Sequence, residues 1–354
     1  MSAVQRAGRL LLLLALLALA SVIFVFHRLE HPPRPDGPRT EVTVFFPPGT
    51  PTSHIFQRLA RDRVVTSARL AEIYFRIYRG GTSLQAGEYR FDCPTPIDDV
   101  IDRMSRGDVV KHAVVVPEGL TAEETFELFW KQGLGTAESF RRAVRLTELL
   151  PGLAQGAPDL EGFLFPETYS VTRSNSARQI VDRMVSEFRR RFTAELRQRA
   201  RALELTPREA VTLASIVEKE SGLAREGPLI ASVYLNRLRH GMHLQADPTV
   251  VYALKRDGKW TGLVHRSDYA YESPYNTYLV EGLPPGPICN PGFSALKSAV
   301  FPARTDYLYF VANESGGHTF SRTFEEHLHA IAAAHRLRAD AAREKSETAG
   351  PSQN

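Results

Sequence analysis

The stretch LASIVEKESG, residues 213–222, begins as an apolar run and ends in two glutamates, Glu218 and Glu220. Leu213, Ile216 and Val217 lie seven, four and three residues before Glu220. Those spacings share one face of a helix. Pro207 is placed to open that helix and Gly222 to end it. Positions two apart on a helix point roughly 200° apart. Glu220 is therefore expected at the end of the buried stripe, and Glu218 on a solvated surface. Glu220 also falls near the helix C-terminus, whose partial negative charge disfavours a carboxylate. Partial burial acts in the same direction. A raised carboxyl pKa keeps a proton available for general acid catalysis. The plainer alternative is a partly buried acid held by Lys or Arg.

Downstream of this helix the chain remains mainly helical. GPLIASVYLNRLRHGM (residues 227–242) is an amphipathic helix ended by Gly241. A run rich in Pro, Gly, Asn and Tyr, residues 244–292, reads as a long loop-rich insert. DYLYFVANESGGHTFSRT (residues 306–323) reads as two short strands about a Gly-Gly turn, and a last helix is expected over 323–341. Upstream, one long helix is expected over 176–202.

The first half alternates strands and helices. EVTVFFPPGT (residues 41–50) is a strand ended by Pro-Pro-Gly, with a helix following from near Thr52 or Ser53. HAVVVPEGLTAEETFELFWKQG (residues 112–133) repeats that order, and Thr121 with Glu124 forms a capping box. Pro47 and Gly49 match Pro117 and Gly119 at an offset of seventy. With QAGEYRF as a strand and TPIDDVIDRMSRG as a helix between them, the two copies fit one small α+β module. The fold class is thus α+β.

At the N-terminus, residues 10–26 form an uncharged run of 17 after Arg6 and Arg9. That length is at the lower edge of a spanning helix. The run continues through the Ala-Leu-Ala at 18–20, so an uncleaved anchor is expected. Arginines flank it on both sides, and the long domain beyond it favours export of the bulk. The boundaries are a cytoplasmic tail at 1–9, an anchor at 10–27, a Pro-rich linker at 28–40 and a polar tail at 342–354.

Composition is that of a globular chain of 354 residues, 43% hydrophobic and 24% charged, with net charge +4. Mild basicity suits an acidic polymer or a membrane surface, and no motif points to nucleic acid. Cys93 and Cys289 show no zinc or CxxC spacing and are expected as free thiols, although one long-range disulfide is conceivable. His327 and His329, two apart, face apart on a helix and make a poor metal site.

ASIVEKESG resembles the catalytic helix of lytic transglycosylases, in which the acid is the Glu directly before Ser: here Glu220, before Ser221. The resemblance extends to VVVPEGLT (114–121), LEGFLFPETY (160–169), VTLASIVEKES (211–221), ASVYLNRLRHGMHLQADPTVVYAL (231–254), SPYNTYLVEGLPPGPICNPG (273–292) and YLYFVANESGGHTF (307–320). Together these resemble the endolytic murein transglycosylase (YceG-like) family, from the anchor to about residue 335. The resemblance implies a single-pass protein of the cell inner membrane with its body in the periplasm. It implies a LysM-like module at 41–120 and a lysozyme-like catalytic domain at 121–341. It further implies a lyase that cuts peptidoglycan glycan strands between N-acetylmuramic acid and N-acetylglucosamine, leaving 1,6-anhydro ends. No cofactor or metal is implied, and peptidoglycan synthases are candidate partners.

Glu220 is then the catalytic acid. Gln245, Asp247, Tyr275, Asn276 and Tyr278 are expected to bind sugar, with the alternative that Asn276 is a turn residue and one Tyr is core. His318 belongs at the groove or caps a turn. Glu161 and Glu167, outside the acid-before-Ser pattern, are expected to be structural. Rival readings are a wall-binding scaffold with a dead site, a two-carboxylate hydrolase, and a pyridoxal-phosphate lyase using Lys219. Lys219 has no phosphate-binding glycine loop and lies off the apolar face, which speaks against the last.

Overall fold

The computed structural model describes residues 3–31, 40–154 and 156–348. It is a mixed α+β chain with an apolar N-terminal helix and, among the described residues, three two-stranded sheets. Of the linker expected at 28–40, residues 32–39 lie outside the described residues, while 28–30 belong to the N-terminal helix and Thr40 to the first strand. Two compact units are present, one from Met1–Ala113 with Ser170–Ser176, the other from Val114–Tyr169 with Ala177–Asn354.

The first unit begins with α1 (Ala3–Glu30), which over Gly8–Glu30 is long and apolar enough to cross a membrane. Its leucines from Leu10 to Leu19 are exposed, whereas near its end Leu29 is buried and Phe26 rests on the rings of Tyr74 and Tyr78. β1 (Thr40–Phe46) pairs antiparallel with β2 (Gly87–Cys93), Val44 opposite Tyr89 and Val42 opposite Phe91. Strand alternation turns Val44, Phe46, Tyr89 and Phe91 to one face. There they join the buried sides of α2 (Thr52–Arg61), α3 (Ala68–Tyr78) and α4 (Ile97–Arg106) in one core.

β3 (His112–Val115) pairs with β4 (Thr168–Val171), not with β1 or β2. The second strand–turn–helix copy therefore does not complete the small module. The two turns are nonetheless alike: Gly49 has φ +82° and Gly119 φ +78°, the left-handed conformation that glycine adopts without a Cβ clash.

The second unit is built on α9 (Pro207–Glu220). Thr206 and Glu209 form a capping box at its start, and Pro207 takes the first helical turn. Every residue from Ala210 to Val217 is buried, so this is a central helix and not one with a single apolar stripe. α8 (Ala194–Ala202), α10 (Gly227–Arg239), α11 (Asp247–Arg256) and α12 (Phe293–Val300) pack around it. α5 (Ala122–Trp130) carries the expected Thr121–Glu124 capping box, and α6 (Ala137–Ala143) follows it.

Three expectations are corrected. The helix expected over 176–202 is two helices, α7 (Ala177–Arg191) and α8, because Thr193 turns extended and caps the second. The insert at 244–292 is not all loop, because Pro248 falls in the first turn of α11, where a missing N–H costs nothing. The last helix, α13 (Phe324–Thr348), outruns its expected end. Ahead of it β5 (Tyr309–Ala312) and β6 (His318–Ser321) form the expected hairpin.

Candidate active site

Glu220 is the last residue of α9, where the buried helix reaches a cleft. Its Oε1 accepts a hydrogen bond from the hydroxyl of Tyr234 at 3.0 Å. Tyr234 projects from α10 and is only 2% exposed. Burial pushes the Glu220 carboxyl up to about 7; the Tyr234 bond opposes this and the charge of Asp247 adds to it. A carboxyl so placed is half protonated near neutral pH and can both give and take a proton.

Two concavities meet at this residue. One, of about 320 Å³, runs along Tyr234, Arg237, Gln245, Tyr278, Phe310 and His318. The other, of about 230 Å³, runs along Lys219, Pro248, Val251, Tyr252, Lys255 and Ile288. Glu220 and Asp247 line both. Glu220 thus stands where two arms of a groove adjoin.

Asp247 opens α11 and is exposed. Its carboxylate accepts the hydroxyls of Tyr278 at 2.5 Å and Tyr269 at 3.3 Å, whose rings pack at 4.6 Å. Gln245 is exposed at the groove with φ +51°, a left-handed conformation that strains a side-chain-bearing residue. The structure thus brings together Glu220, Gln245, Asp247 and Tyr278.

It places Tyr275 and Asn276 beneath the groove. Asn276 has no exposed surface. Its amide donates to the carbonyls of Tyr269 and Tyr271, and its Oδ1 accepts the Tyr278 N–H at 3.0 Å. The Tyr275 ring, 6% exposed, packs on Tyr252 under the guanidinium of Arg256. These two hold the loop that presents Tyr278, as the turn-and-core alternative has it.

Glu218 corrects its expectation. It is half-buried, not solvated, and accepts the Gly292 N–H at 2.9 Å; burial raises its carboxyl. The loop before α12 covers the helix face that the sequence leaves open. Lys219 donates to the Gly119 carbonyl at 3.3 Å. Glu161 accepts the Ala122 N–H at the start of α5, and burial pushes it up to about 8. Glu167 is exposed and pairs with Arg191 at 3.2 Å. His318 lines the groove and is paired with Glu226 at 2.7 Å. His327 also lines the groove, stacked on Tyr309. Cys93 and Cys289 are both buried free thiols.

Tyr234 and Arg237 are two polar groove residues that sequence reasoning did not single out. Arg237 donates to the carbonyls of Leu308 and Leu244, tying the β5–β6 hairpin and the Gln245 turn to α10. Their signal was present: two polar groups three apart on the buried side of an apolar helix.

Residues 44–333 match the YceG-like family. An endolytic murein transglycosylase of Bacillus subtilis is 30% identical over 305 residues, covering 82% of this chain and 83% of that one. One from Streptococcus pneumoniae is 30% identical over 314 residues, covering 80% of this chain and 56% of the longer relative. The crystal structure of a yceG-like protein from Listeria monocytogenes superposes with a TM-score of 0.54 at 32% identity, covering 82% of this chain and 98% of that one. On this match across most of its length, the chain belongs to the YceG-like family.

Proposed function

We propose that the protein is an endolytic murein transglycosylase, a lyase acting on the glycan strands of peptidoglycan, with Glu220 as its acid and base. The observation that carries this reading is the raised carboxyl of Glu220 at the junction of a two-armed groove, in a chain whose relatives bear that name.

The reaction needs one proton carrier. Glu220 protonates the glycosidic oxygen, and the C1–O bond of the muramoyl residue breaks with its electron pair leaving on that oxygen. C1 becomes oxocarbenium-like. The muramoyl C6 hydroxyl then donates its oxygen lone pair to C1 while its proton passes to the Glu220 carboxylate. A 1,6-anhydro ring closes, no water is consumed, and Glu220 is protonated again. The nucleophile belongs to the substrate, so bringing it to C1 has a small entropic cost. Tyr234 fixes the Glu220 carboxylate through its hydrogen bond. Gln245 and Tyr278 offer an amide and an aromatic face to the sugars.

In this reading α1 anchors the protein in the inner membrane, and the chain from β1 onward lies in the periplasm. The small unit serves as a LysM-like module and the larger as a lysozyme-like catalytic domain, acting on strands that peptidoglycan synthases supply. A hydrolytic muramidase is the second reading, favoured by Asp247 as a second carboxylate in the groove. Mass spectrometry of purified peptidoglycan treated with the detergent-solubilised chain separates the two. New 1,6-anhydro ends from wild type, and none from Glu220→Gln, are expected. Reducing muramoyl ends would make it a hydrolase, and no cleavage by wild type would leave a wall-binding scaffold.

A further inference from the structure

Asp247 is an odd group for this groove. It lines both arms beside Glu220, yet among the described residues it forms no ion pair. The cations near it are engaged elsewhere. Arg237 is spent on backbone carbonyls, Lys255 pairs with Glu124 at 2.7 Å, and Lys219 donates to Gly119. What Asp247 does have is two phenolic donors, one on each oxygen, from a pair of packed tyrosines. Those donors fix the carboxylate without neutralising it.

We propose that Asp247, clamped by Tyr278 and Tyr269, is a second catalytic carboxylate whose fixed negative charge stabilises the cationic C1 of the reacting muramoyl ring. The proposal rests on the transglycosylase reading of the same groove. Asp247 forms no bond and moves no proton; the proton accounting of Glu220 is unchanged. Its hydrogen-bonded oxygens are poor nucleophiles and poor bases. In the open groove water screens the charge. A glycan filling both arms displaces that water, and an unscreened charge acts more strongly on the cation than on the neutral ground state. That difference is what accelerates a reaction.

The alternative is that Asp247 merely favours the N-terminus of α11, whose N-cap, Ala246, offers no side chain. The two roles differ in what they move. The titratable and charged groups that line the groove with Glu220 are Tyr234, Arg237, Asp247, Tyr278, His318 and His327 in one arm and Glu124, Lys219, Tyr252 and Lys255 in the other, and Asp247→Asn removes only one charge from that set. Steady-state kinetics of the full chain in detergent, on uncrosslinked glycan strands across pH, read the result. For Asp247→Asn the expected outcome is a kcat loss on the order of a hundredfold with KM changed only a few-fold. The high-pH limb, where Glu220 loses its proton, should also shift to lower pH. A raised KM with kcat and that limb unmoved would overturn the proposal.

Should Asp247→Asn melt early, Tyr269→Phe with Tyr278→Phe keeps the charge and removes its clamp. A kcat loss of about tenfold at similar KM is then expected, and an unchanged kcat overturns the proposal equally. Glu220→Gln run alongside keeps the two readings apart. Activity surviving in that variant refutes the acid itself, whatever Asp247→Asn does.

Discussion

At Glu220 a proton, a phenol and a neighbouring charge are set against one another, and the balance bears on stability and, with Glu220 as the proposed acid, on rate. The folded carboxyl at about 7 lies above the ordinary glutamate value of 4.5. Below the lower value both folded and unfolded chains hold the proton and the residue costs nothing. Between the two only the unfolded chain releases it, so stability falls as pH rises, by up to about 3 kcal/mol at neutral pH, and no further above. Glu220→Gln keeps an acceptor for Tyr234 and removes this penalty. Its melting temperature is expected to match wild type at pH 4 and exceed it at pH 8, as calorimetry at the two pH values would test. Wild-type turnover should fall as pH passes upward through about 7, since the acid must begin protonated. Equal melting shifts at both pH values would mean that Glu220 is not buried as described. The position of Glu220 was legible because Leu213, Ile216 and Val217 are local. Its partners were not. Tyr234 lies fourteen residues on, and only the crossing of α9 and α10 brings the two together. Glu218 was misread for the same reason, because the loop that covers it comes from beyond residue 285.

Among the elements, the tyrosine-bearing insert shows how a segment read as loop becomes a wall of the groove. Proline punctuation suggested irregular chain after Leu244, yet Pro248 starts α11 and so places Asp247 at the junction of both arms. Between α11 and α12 the chain has only turns and one short 3-10 helix, Arg266–Ala270, and order comes from side chains. Asn276 makes three hydrogen bonds to backbone groups of Tyr269, Tyr271 and Tyr278. Thr277 and Thr249 join the same loop to α11 at 2.9 Å. A buried amide with this many partners cannot be recognised from PYNTY alone, because an exposed sugar-binding asparagine has the same local sequence. Asn276→Ala is expected to cost about 2–4 kcal/mol, the sum of lost bonds and orphaned carbonyls. Urea unfolding would measure it. Because the loop presents Tyr278 and thus the Asp247 clamp, activity should fall in the same variant while the fold survives below the transition. A change under about 0.5 kcal/mol, within the ordinary range of surface substitutions, would show that the loop is held by something else.

For the molecule as a whole, α1 joins an exposed apolar stretch, the anchor in the proposed reading, to a turn packed on the small unit, and composition does not separate the two jobs. From Leu10 to Phe24 the helix carries exposed apolar side chains, fit for lipid. The last turn belongs to the small unit instead. Leu29 is 4% exposed, Phe26 packs on Tyr74 and Tyr78, and Glu30 accepts the Tyr74 hydroxyl at 3.1 Å. An apolar run read by length alone ends near Phe26 and leaves the residues after it to a linker. The boundary cannot be seen from the run, because burial in lipid and burial against Tyr74 select the same residue types. The two jobs come apart under truncation. Removing residues 1–24 should release the protein from membrane pellets with its melting temperature unchanged. Removing residues 1–31 should release it equally but lower the stability of the small unit. Losing the buried Leu29 alone costs about 1.5–3 kcal/mol, and Phe26 adds to it. Sedimentation with vesicles and thermal melts of the two truncations read both effects. If the longer truncation melts with the shorter, the end of α1 is no part of that core, and a soluble form can begin at β1. If it melts lower, the anchor and the first folded unit form one continuous element. The point where the chain leaves the bilayer is then fixed by Leu29 and Phe26 rather than by a free tether.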